Sequence, residues 1–154
     1  SYTLSSYELI IIIKKFQLTD LTSVMDIWLN TNISTHHFIS EDYWYKNYDI
    51  VKELIPQAEI YTYIEDDTIK AFIATLDTTY IAGFFVSQPW QSQGIGKKLL
   101  DFAKENHPSL ELDVYLKNPA AISFYKKNDF QIQSEKTNPN DGEKEYRMKW
   151  CKNF

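Results

Sequence analysis

Cysteine is almost absent from this chain, because the 154 residues include only Cys151. A single cysteine cannot form a disulfide within the chain, and no group of cysteines and histidines has the spacing of a zinc site. We therefore expect no bound metal. A protein without disulfides is typical of a reducing compartment, and we expect this one in the cytoplasm.

Long hydrophobic runs are also missing. The longest early run, Leu9 to Ile13, is shorter than the core of a signal peptide and far shorter than a membrane span. The composition, 44% hydrophobic and 24% charged, is typical of a globular protein whose length suffices to bury a core. We expect one domain, residues 1–154, that does not bind a membrane.

Positive charge is in deficit, since 16 Lys and Arg stand against 21 Asp and Glu. Nonspecific nucleic-acid binding depends on clustered Lys and Arg, so we do not expect a nucleic-acid partner. Residues 40–67 are strongly acidic. Their carboxylates either form a solvated surface or create a field that attracts a cationic amine. These carboxylates are Glu41, Asp42, Asp49, Glu53, Glu59, Glu65, Asp66 and Asp67.

Hydrophobic spacing predicts alternating strands and helices. A strand over Ile10–Phe16 precedes a helix that Thr19 or Asp20 can cap, and a polar break at 30–35 should end this helix. A second helix over 40–54 should end before Pro56. The later predicted elements are hairpin strands at 60–65, 69–76 and 80–86, a helix at 94–106, a strand at 110–115, a helix from 118, and strands at 130–134 and 145–150.

A short glycine loop, Gln-Ser-Gln-Gly-Ile-Gly at residues 91–96, lies between the strand at 80–86 and the following helix. Such a loop directs backbone N–H groups to one point at the positive end of the helix dipole. The pattern therefore predicts a site for a phosphate or pyrophosphate.

Two better-known phosphate loops fit these residues poorly. A P-loop needs Ser or Thr where Lys98 stands and Gly where Gln91 stands. The dinucleotide fingerprint needs Gly where Leu99 stands; Asp113 does follow about 20 residues later, but it alternates with apolar neighbours as a solvated strand residue would. A nucleotide-phosphate binder stays as one alternative.

The loop pattern Gln-x-x-Gly-x-Gly resembles the coenzyme A loop of the GNAT superfamily of N-acetyltransferases. Further along, Asn-Pro-Ala-Ala-Ile-Ser-Phe-Tyr-Lys-Lys-Asn-Asp-Phe at 118–130 resembles the family's Asn-x-x-Ala-x-x-Phe-Tyr-x-x-x-Gly-Phe helix. Asp129 replaces the usual glycine, but Asp tolerates the left-handed conformation, so the helix can still end there.

The resemblance covers roughly residues 10–150 and implies a mixed α/β (α+β) fold, with a mostly antiparallel sheet flanked by helices. The sheet should splay between the strands at 80–86 and 110–116, where coenzyme A enters. The implied reaction is direct transfer of acetyl from acetyl-CoA to a primary amine in a ternary complex. The closest likeness is to small bacterial proteins that acetylate lysine or N-terminal amines.

The resemblance also implies roles for individual residues. Tyr125 would protonate the leaving thiolate, and Asn118 would contact the coenzyme as well as cap its helix. The main chain of Phe85 and Val86 would pair with the pantetheine arm and stabilise the oxyanion. The coenzyme phosphates would bind at the loop, formed by Gln91, Ser92, Gln93, Gly94, Ile95 and Gly96, with help from Lys97.

A general base is harder to assign, because the strand at 80–86 lacks the glutamate that many family members place there. His36 and His37 lie between the first two helices, in the region expected to border the acceptor pocket. Because histidine as a residue type can exchange a proton near neutral pH, we take His37 as the candidate base. A water chain or a residue elsewhere is the alternative. The missing carboxylate also keeps open a noncatalytic acyl-CoA-binding or protein-interaction module. Because the residues do not identify the acceptor, an acetyltransferase of small molecules such as polyamines or aminoglycosides is a further alternative.

Overall fold

The computed structural model describes residues 11–153, which form a seven-stranded sheet flanked by helices. The strands are β1 (Ile11–Lys15), β2 (Glu59–Glu65), β3 (Thr68–Leu76), β4 (Tyr80–Val86), β5 (Ser109–Tyr115), β6 (Gln131–Thr137) and β7 (Lys144–Cys151). The α-helices are α1 (Leu21–Thr35), α2 (Glu41–Leu54), α3 (Ile95–Glu105) and α4 (Pro119–Lys127). Ile10, the first residue of the predicted opening strand, lies outside the described residues.

The sheet has the order β1-β2-β3-β4-β5-β7-β6 and is antiparallel except between β4 and β5. These two parallel strands are paired only at Tyr80 and Glu111, where the Glu111 N–H donates to the Thr79 carbonyl at 2.8 Å. Beyond this point the strands separate. The predicted splay of the sheet is confirmed, and it leaves a V-shaped gap along the end of β4.

Both predicted hairpins are present, and each turn has two residues with a positive φ, three of the four being Asp. Asp66 and Asp67 have φ values of 51° and 59°, and Asp77 and Thr78 have values of 52° and 64°. Asp adopts the left-handed conformation more readily than most non-glycine residues. These turns fix β2, β3 and β4 as an antiparallel meander, so β4 ends beside the glycine loop.

The predicted break at residues 30–35 is wrong, because α1 continues to Thr35. Polar side chains in this turn are satisfied within the helix: the Asn32 amide nitrogen donates to the Trp28 carbonyl at 2.8 Å, and Ser34 Oγ donates to the Thr31 carbonyl at 3.2 Å. Thr31, Asn32 and Thr35 line the cleft, so their polarity reflects a helix face near the cleft rather than a helix end. The second helix starts as predicted, with Ser40 as its N-cap.

Two hydrophobic cores lie on opposite faces of the sheet. Alternation along β3 directs Ala71 and Ile73 into the core beneath α3, and Phe72 and Ala74 into the core beneath α1 and α2. The gap between β4 and β5 thus lies between two rigid packed layers. Across residues 11–153, none of the helices combines the length and the apolar character needed to cross a membrane.

Candidate active site

A cleft of about 740 Å³ follows the gap between β4 and β5. One end is the glycine loop and the start of α3. The other end lies between α1, α2 and the polar face of β5 and β7, where Trp28, His36, Trp44, Tyr115 and Glu145 form the walls. Tyr125 of α4 lines the cleft together with the end of β4.

The glycine loop has the geometry of an anion site. Gly94 is the N-cap of α3 with a φ of 84°, a conformation that glycine adopts without strain. The helix begins with the Lys98 N–H donating to the Gly94 carbonyl at 3.1 Å, and its first turn has no acidic side chain. The unpaired N–H groups of that turn can therefore bind a phosphate.

The loop residues named from the sequence have different surroundings. Gln91 anchors the loop, because its Nε2 donates to the Val86 carbonyl at 2.9 Å. The Ile95 side chain is buried in the core, and the Lys97 ammonium forms an exposed ion pair with Asp101 at 2.9 Å. Gln91, Ser92, Gly94, Ile95, Gly96 and Lys97 line the cleft, whereas Gln93 is exposed outside it.

The two main-chain positions named at the end of β4 point in opposite directions. The Ser87 N–H donates to the Lys70 carbonyl of the β3 side at 2.8 Å. Because main-chain groups alternate in direction along an antiparallel strand, the Phe85 N–H also faces β3, and the Val86 N–H faces the gap. Val86 therefore offers a main-chain donor to the cleft, while the Phe85 ring packs on Phe72 with centroids 5.6 Å apart.

Tyr125 projects from α4 into an aromatic setting. Its ring centroid lies 5.5 Å from the centroids of the Phe124 and Phe130 rings and 6.4 Å from that of the Phe84 ring. Its hydroxyl makes no hydrogen bond to another described residue. Burial raises the pKa of Tyr125 well above its usual value, so the hydroxyl is protonated at neutral pH and can donate a proton.

Asn118 caps α4 as the sequence predicts, with its Oδ1 accepting from the Ala121 N–H at 3.2 Å. Its Nδ2 lies 3.4 Å from His36 Nε2. His36 is buried, and its Nδ1 lies 3.0 Å from Asn32 Oδ1. Since Asn32 Oδ1 can only accept, these partners place the imidazole hydrogen on Nδ1 and leave Nε2 as an acceptor. His37, the histidine proposed from the sequence, is exposed and does not line the cleft.

We expect His36 to titrate far below an ordinary histidine. Burial lowers its pKa to about 4, although the negative charge of Asp141 opposes this effect. The folded protein then binds fewer protons than the unfolded chain between about pH 6.5 and pH 4, so His36 should lower the stability as the pH falls through this range. NMR titration of the His36 ring protons measures this pKa, and the His36→Gln variant identifies their signals. A titration midpoint near pH 6.5 would contradict the prediction.

Asp113 is the centre of a polar network that the sequence did not reveal. Its carboxylate accepts from the Tyr80 hydroxyl at 2.8 Å, from Arg147 Nε at 2.8 Å and from Lys136 Nζ at 3.1 Å. The side chain is only 10% exposed, so the interpretation as a solvated residue is wrong. Burial alone would raise its pKa, but these hydrogen bonds and the charge of Arg147 hold the pKa of Asp113 below its usual value.

Glu145 is a second cleft residue that the sequence analysis missed. It lies in β7 directly opposite Tyr115 of β5, and it is 8% exposed. Asp113 and Glu145 are the carboxylates that line the cleft within residues 11–153, and none of the eight acidic residues at 40–67 does so. The pairing of β5 with β7 brings these groups together. The charged residues that alternate along β5 and β7 were the sequence signal that could have indicated this polar face.

Comparisons with known proteins agree with this architecture. The family model described as an acetyltransferase (GNAT) domain matches residues 32–151. The peptidyl-lysine N-acetyltransferase YiaC of Escherichia coli K12 is 31% identical over 121 residues, which are 78% of this chain and 83% of that protein.

Solved structures give the same fold. The apo form of YjaB from Escherichia coli has a TM-score of 0.80 at 21% identity, covering 91% of this chain and 97% of that one. The PaiA N-acetyltransferase of Thermoplasma acidophilum, solved in complex with coenzyme A, has a TM-score of 0.77 at 22% identity, covering 93% and 99%. The chain therefore belongs to the GNAT family of N-acetyltransferases, which take the acetyl group from acetyl-CoA.

Proposed function

We propose that this protein acetylates lysine side chains of proteins or peptides. One observation carries the acetyl-transfer part of this proposal: the cleft brings together the anion site of α3, the gap-facing Val86 N–H and the unbonded Tyr125 hydroxyl. These are the groups that a bound thioester needs at its phosphates, its carbonyl and its sulfur. The similarity to YiaC, which is named a peptidyl-lysine N-acetyltransferase, supports lysine as the acceptor.

Coenzyme binding would begin at the glycine loop. The phosphates would accept hydrogen bonds from the first-turn N–H groups of α3, with the loop held in place by Gln91. The pantetheine arm, which contains amides, would extend along the gap-facing edge of β4. Lys97 would contribute charge from the rim, after exchanging its surface contact with Asp101. Asn118 would reach the coenzyme from the start of α4.

The reaction requires stabilisation of charge at two atoms. As the amine attacks, negative charge collects on the carbonyl oxygen, and the Val86 N–H would donate to it as a preorganised dipole. When the tetrahedral intermediate collapses, the thiolate leaves, and the Tyr125 hydroxyl would give it a proton. The surrounding Phe84, Phe124 and Phe130 rings hold the tyrosine in this position.

The acceptor would enter from the opposite end of the cleft, between α1, α2 and β7. Trp28, Trp44 and Tyr115 line this end and could pack on the methylene groups of a lysine. His37 is a weak candidate for the base, because its side chain is exposed outside the cleft. His36 lies at the cleft, but a pKa of about 4 makes its neutral imidazole a poor proton acceptor. The sparse use of cysteine and its exposed position at Cys151 support a cytoplasmic setting.

We expect thiol release from acetyl-CoA to be fastest with lysine peptides in a panel that also contains peptides with only an N-terminal amine, polyamines and aminoglycosides. Mass spectrometry would locate the acetyl group on the lysine Nε. The matched control is each peptide with its lysine replaced by arginine and its N-terminus blocked.

Other outcomes of the same panel would select other functions. Faster turnover of polyamines or aminoglycosides would make the protein a small-molecule acetyltransferase. Calorimetric binding of coenzyme A without turnover of any amine would support a noncatalytic binding module. Binding of ATP or NAD together with indifference to coenzyme A would identify a nucleotide-phosphate binder.

A further inference from the structure

We propose that Glu145 is the general base that takes a proton from the acceptor ammonium. This inference rests on the proposed function, because it names the group that prepares a lysine for attack. It replaces the role that a glutamate on β4 would otherwise serve, in a strand that here contains no carboxylate.

The position of Glu145 in the sheet places it at the acceptor end of the cleft. It pairs in register with Tyr115, so both side chains lie on the same face of the sheet. The Tyr115 ring is 5.0 Å from the His36 ring, and His36 in turn contacts Asn118 at the start of α4. Glu145, His36, Asn118 and Tyr125 all line the same cleft.

The charges around Glu145 leave it without a cationic partner. Its neighbour Asp113 is paired with Arg147 and Lys136, and Asp141 accepts from the Tyr115 hydroxyl. Within residues 11–153, Glu145 forms no salt bridge, although it is only 8% exposed. Lys136 lies opposite Glu145 in β6, but its ammonium pairs with Asp113. A buried carboxylate without a salt bridge is costly, and an ammonium entering the cleft would supply a directly paired positive charge.

The proton affinity of Glu145 suits the role. Burial raises the pKa of Glu145, and the charges of Asp113 and Asp141 act in the same direction, against a hydrogen bond from Asn138 and the charge of Lys136. A carboxylate with a raised pKa accepts a proton more readily near neutral pH. The titratable groups that face it are Tyr43 of α2, Tyr80 of β4, Asp113 and Tyr115 of β5, Lys136 of β6, Arg147 of β7 and Asp141 of the β6–β7 loop.

The proton balance of the step is complete. Glu145 takes one proton from the ammonium, and the neutral amine attacks the thioester carbon to form the C–N bond. When the C–S bond breaks, the thiolate takes the Tyr125 proton, and the second proton lost by the nitrogen returns to the tyrosinate. Glu145 then releases its proton to water, so that one proton is released for each acetyl group transferred.

The test is Glu145→Gln in the full chain, assayed with the best lysine peptide. We expect kcat/KM at pH 7 to fall by about a hundredfold, a typical effect of losing a general base. Calorimetric binding of coenzyme A should stay the same. In the wild type, kcat/KM should level off above the pKa of Glu145, whereas in the variant it should keep rising toward the lysine pKa near 10.4, where the free amine no longer needs a base.

The matched control is Glu135→Gln, which removes the same charge from β6. Glu135 is 46% exposed and pairs with Tyr146, so it lies on the other face of the sheet. We expect the Glu135→Gln variant to have the same kcat/KM and the same pH profile as the wild type.

Several outcomes separate this inference from the proposed function. No wild-type turnover of lysine peptides would overturn the proposed function itself. Wild-type turnover together with an E145Q rate within about twofold and an unchanged profile would overturn only the role of Glu145. If E145Q did not fold, Glu145→Asp would decide: a slower enzyme that still levels off with pH supports the base, and a profile without that plateau contradicts it.

Discussion

Tyr125→Phe is expected to lower kcat by about a thousandfold, within the range observed when a general acid is removed. The change deletes one hydroxyl and keeps the ring that packs against Phe84, Phe124 and Phe130. The thiolate would then have to leave without a proton from the protein. Because the hydroxyl bonds to no other described residue, its loss should leave folding and acetyl-CoA binding nearly unchanged.

Thiol release at saturating acetyl-CoA measures this effect, with calorimetry to follow coenzyme binding. Tyr61→Phe is a suitable control, since Tyr61 packs against Phe102 with centroids 4.8 Å apart and does not line the cleft. A Tyr125→Phe rate within about twofold of the wild type would show that Tyr125 is not the general acid. A loss confined to KM would instead indicate a binding role.

Asp113→Ala is expected to lower the free energy of unfolding by about 3 kcal/mol, near the lower end for breaking a buried ion pair. The substitution leaves Arg147, Lys136 and the Tyr80 hydroxyl without their shared acceptor. The lower end applies because the Arg147 and Lys136 side chains are 31% and 42% exposed, so water can partly solvate them. Urea denaturation at pH 7 measures the change.

The pH dependence of this stabilisation has a defined sign. The pKa of Asp113 is lower in the folded protein than in the unfolded chain, so the stabilisation is complete above the unfolded value, near 3.9, and is lost as the pH falls through the folded value. The difference between the wild type and Asp113→Ala should therefore shrink below about pH 4. Equal stability of the two proteins at pH 7 would contradict the network.

Asp101→Ala supplies the control for the Asp113 experiment. Asp101 forms an equally short ion pair, 2.9 Å from its carboxylate to Lys97 Nζ. The Asp101 and Lys97 side chains are, however, 47% and 63% exposed. We expect a change below about 1 kcal/mol, as for other surface pairs.

Much of the fold could be predicted because its signals are local. Hairpin turns at Asp66 and Asp77, the N-cap at Ser40 and the loop at Gly94 all depend on residues close in sequence. The end of α1 was predicted too early for the opposite reason. Thr31 and Asn32 are buried, and the tertiary position of the helix, rather than its local polarity, decides whether it continues.

The two ends of the cleft also differ in how far local sequence predicts them. The coenzyme end is a contiguous motif, so its residues could be named before the structure was known. The acceptor end is assembled from α1, α2, β5 and β7. No local pattern shows that β7 lies between β5 and β6. Asp113, Glu145 and Arg147 therefore appeared unrelated in sequence. The choice between His36 and His37 depended on which of two successive side chains turns inward at the end of α1.

The separation of β4 from β5 gives this protein a sheet edge in its own interior. Exposed edges invite pairing with strands of other molecules and are a common origin of aggregation. Here the free edge of β4 lines a cavity of about 740 Å³, within the size range of small-molecule sites. A slender ligand can form hydrogen bonds with the free main-chain groups of β4. A second polypeptide strand, with its side chains, has far less room in this cavity. The fold thus keeps an unpaired strand available for ligand binding while shielding it from unwanted association.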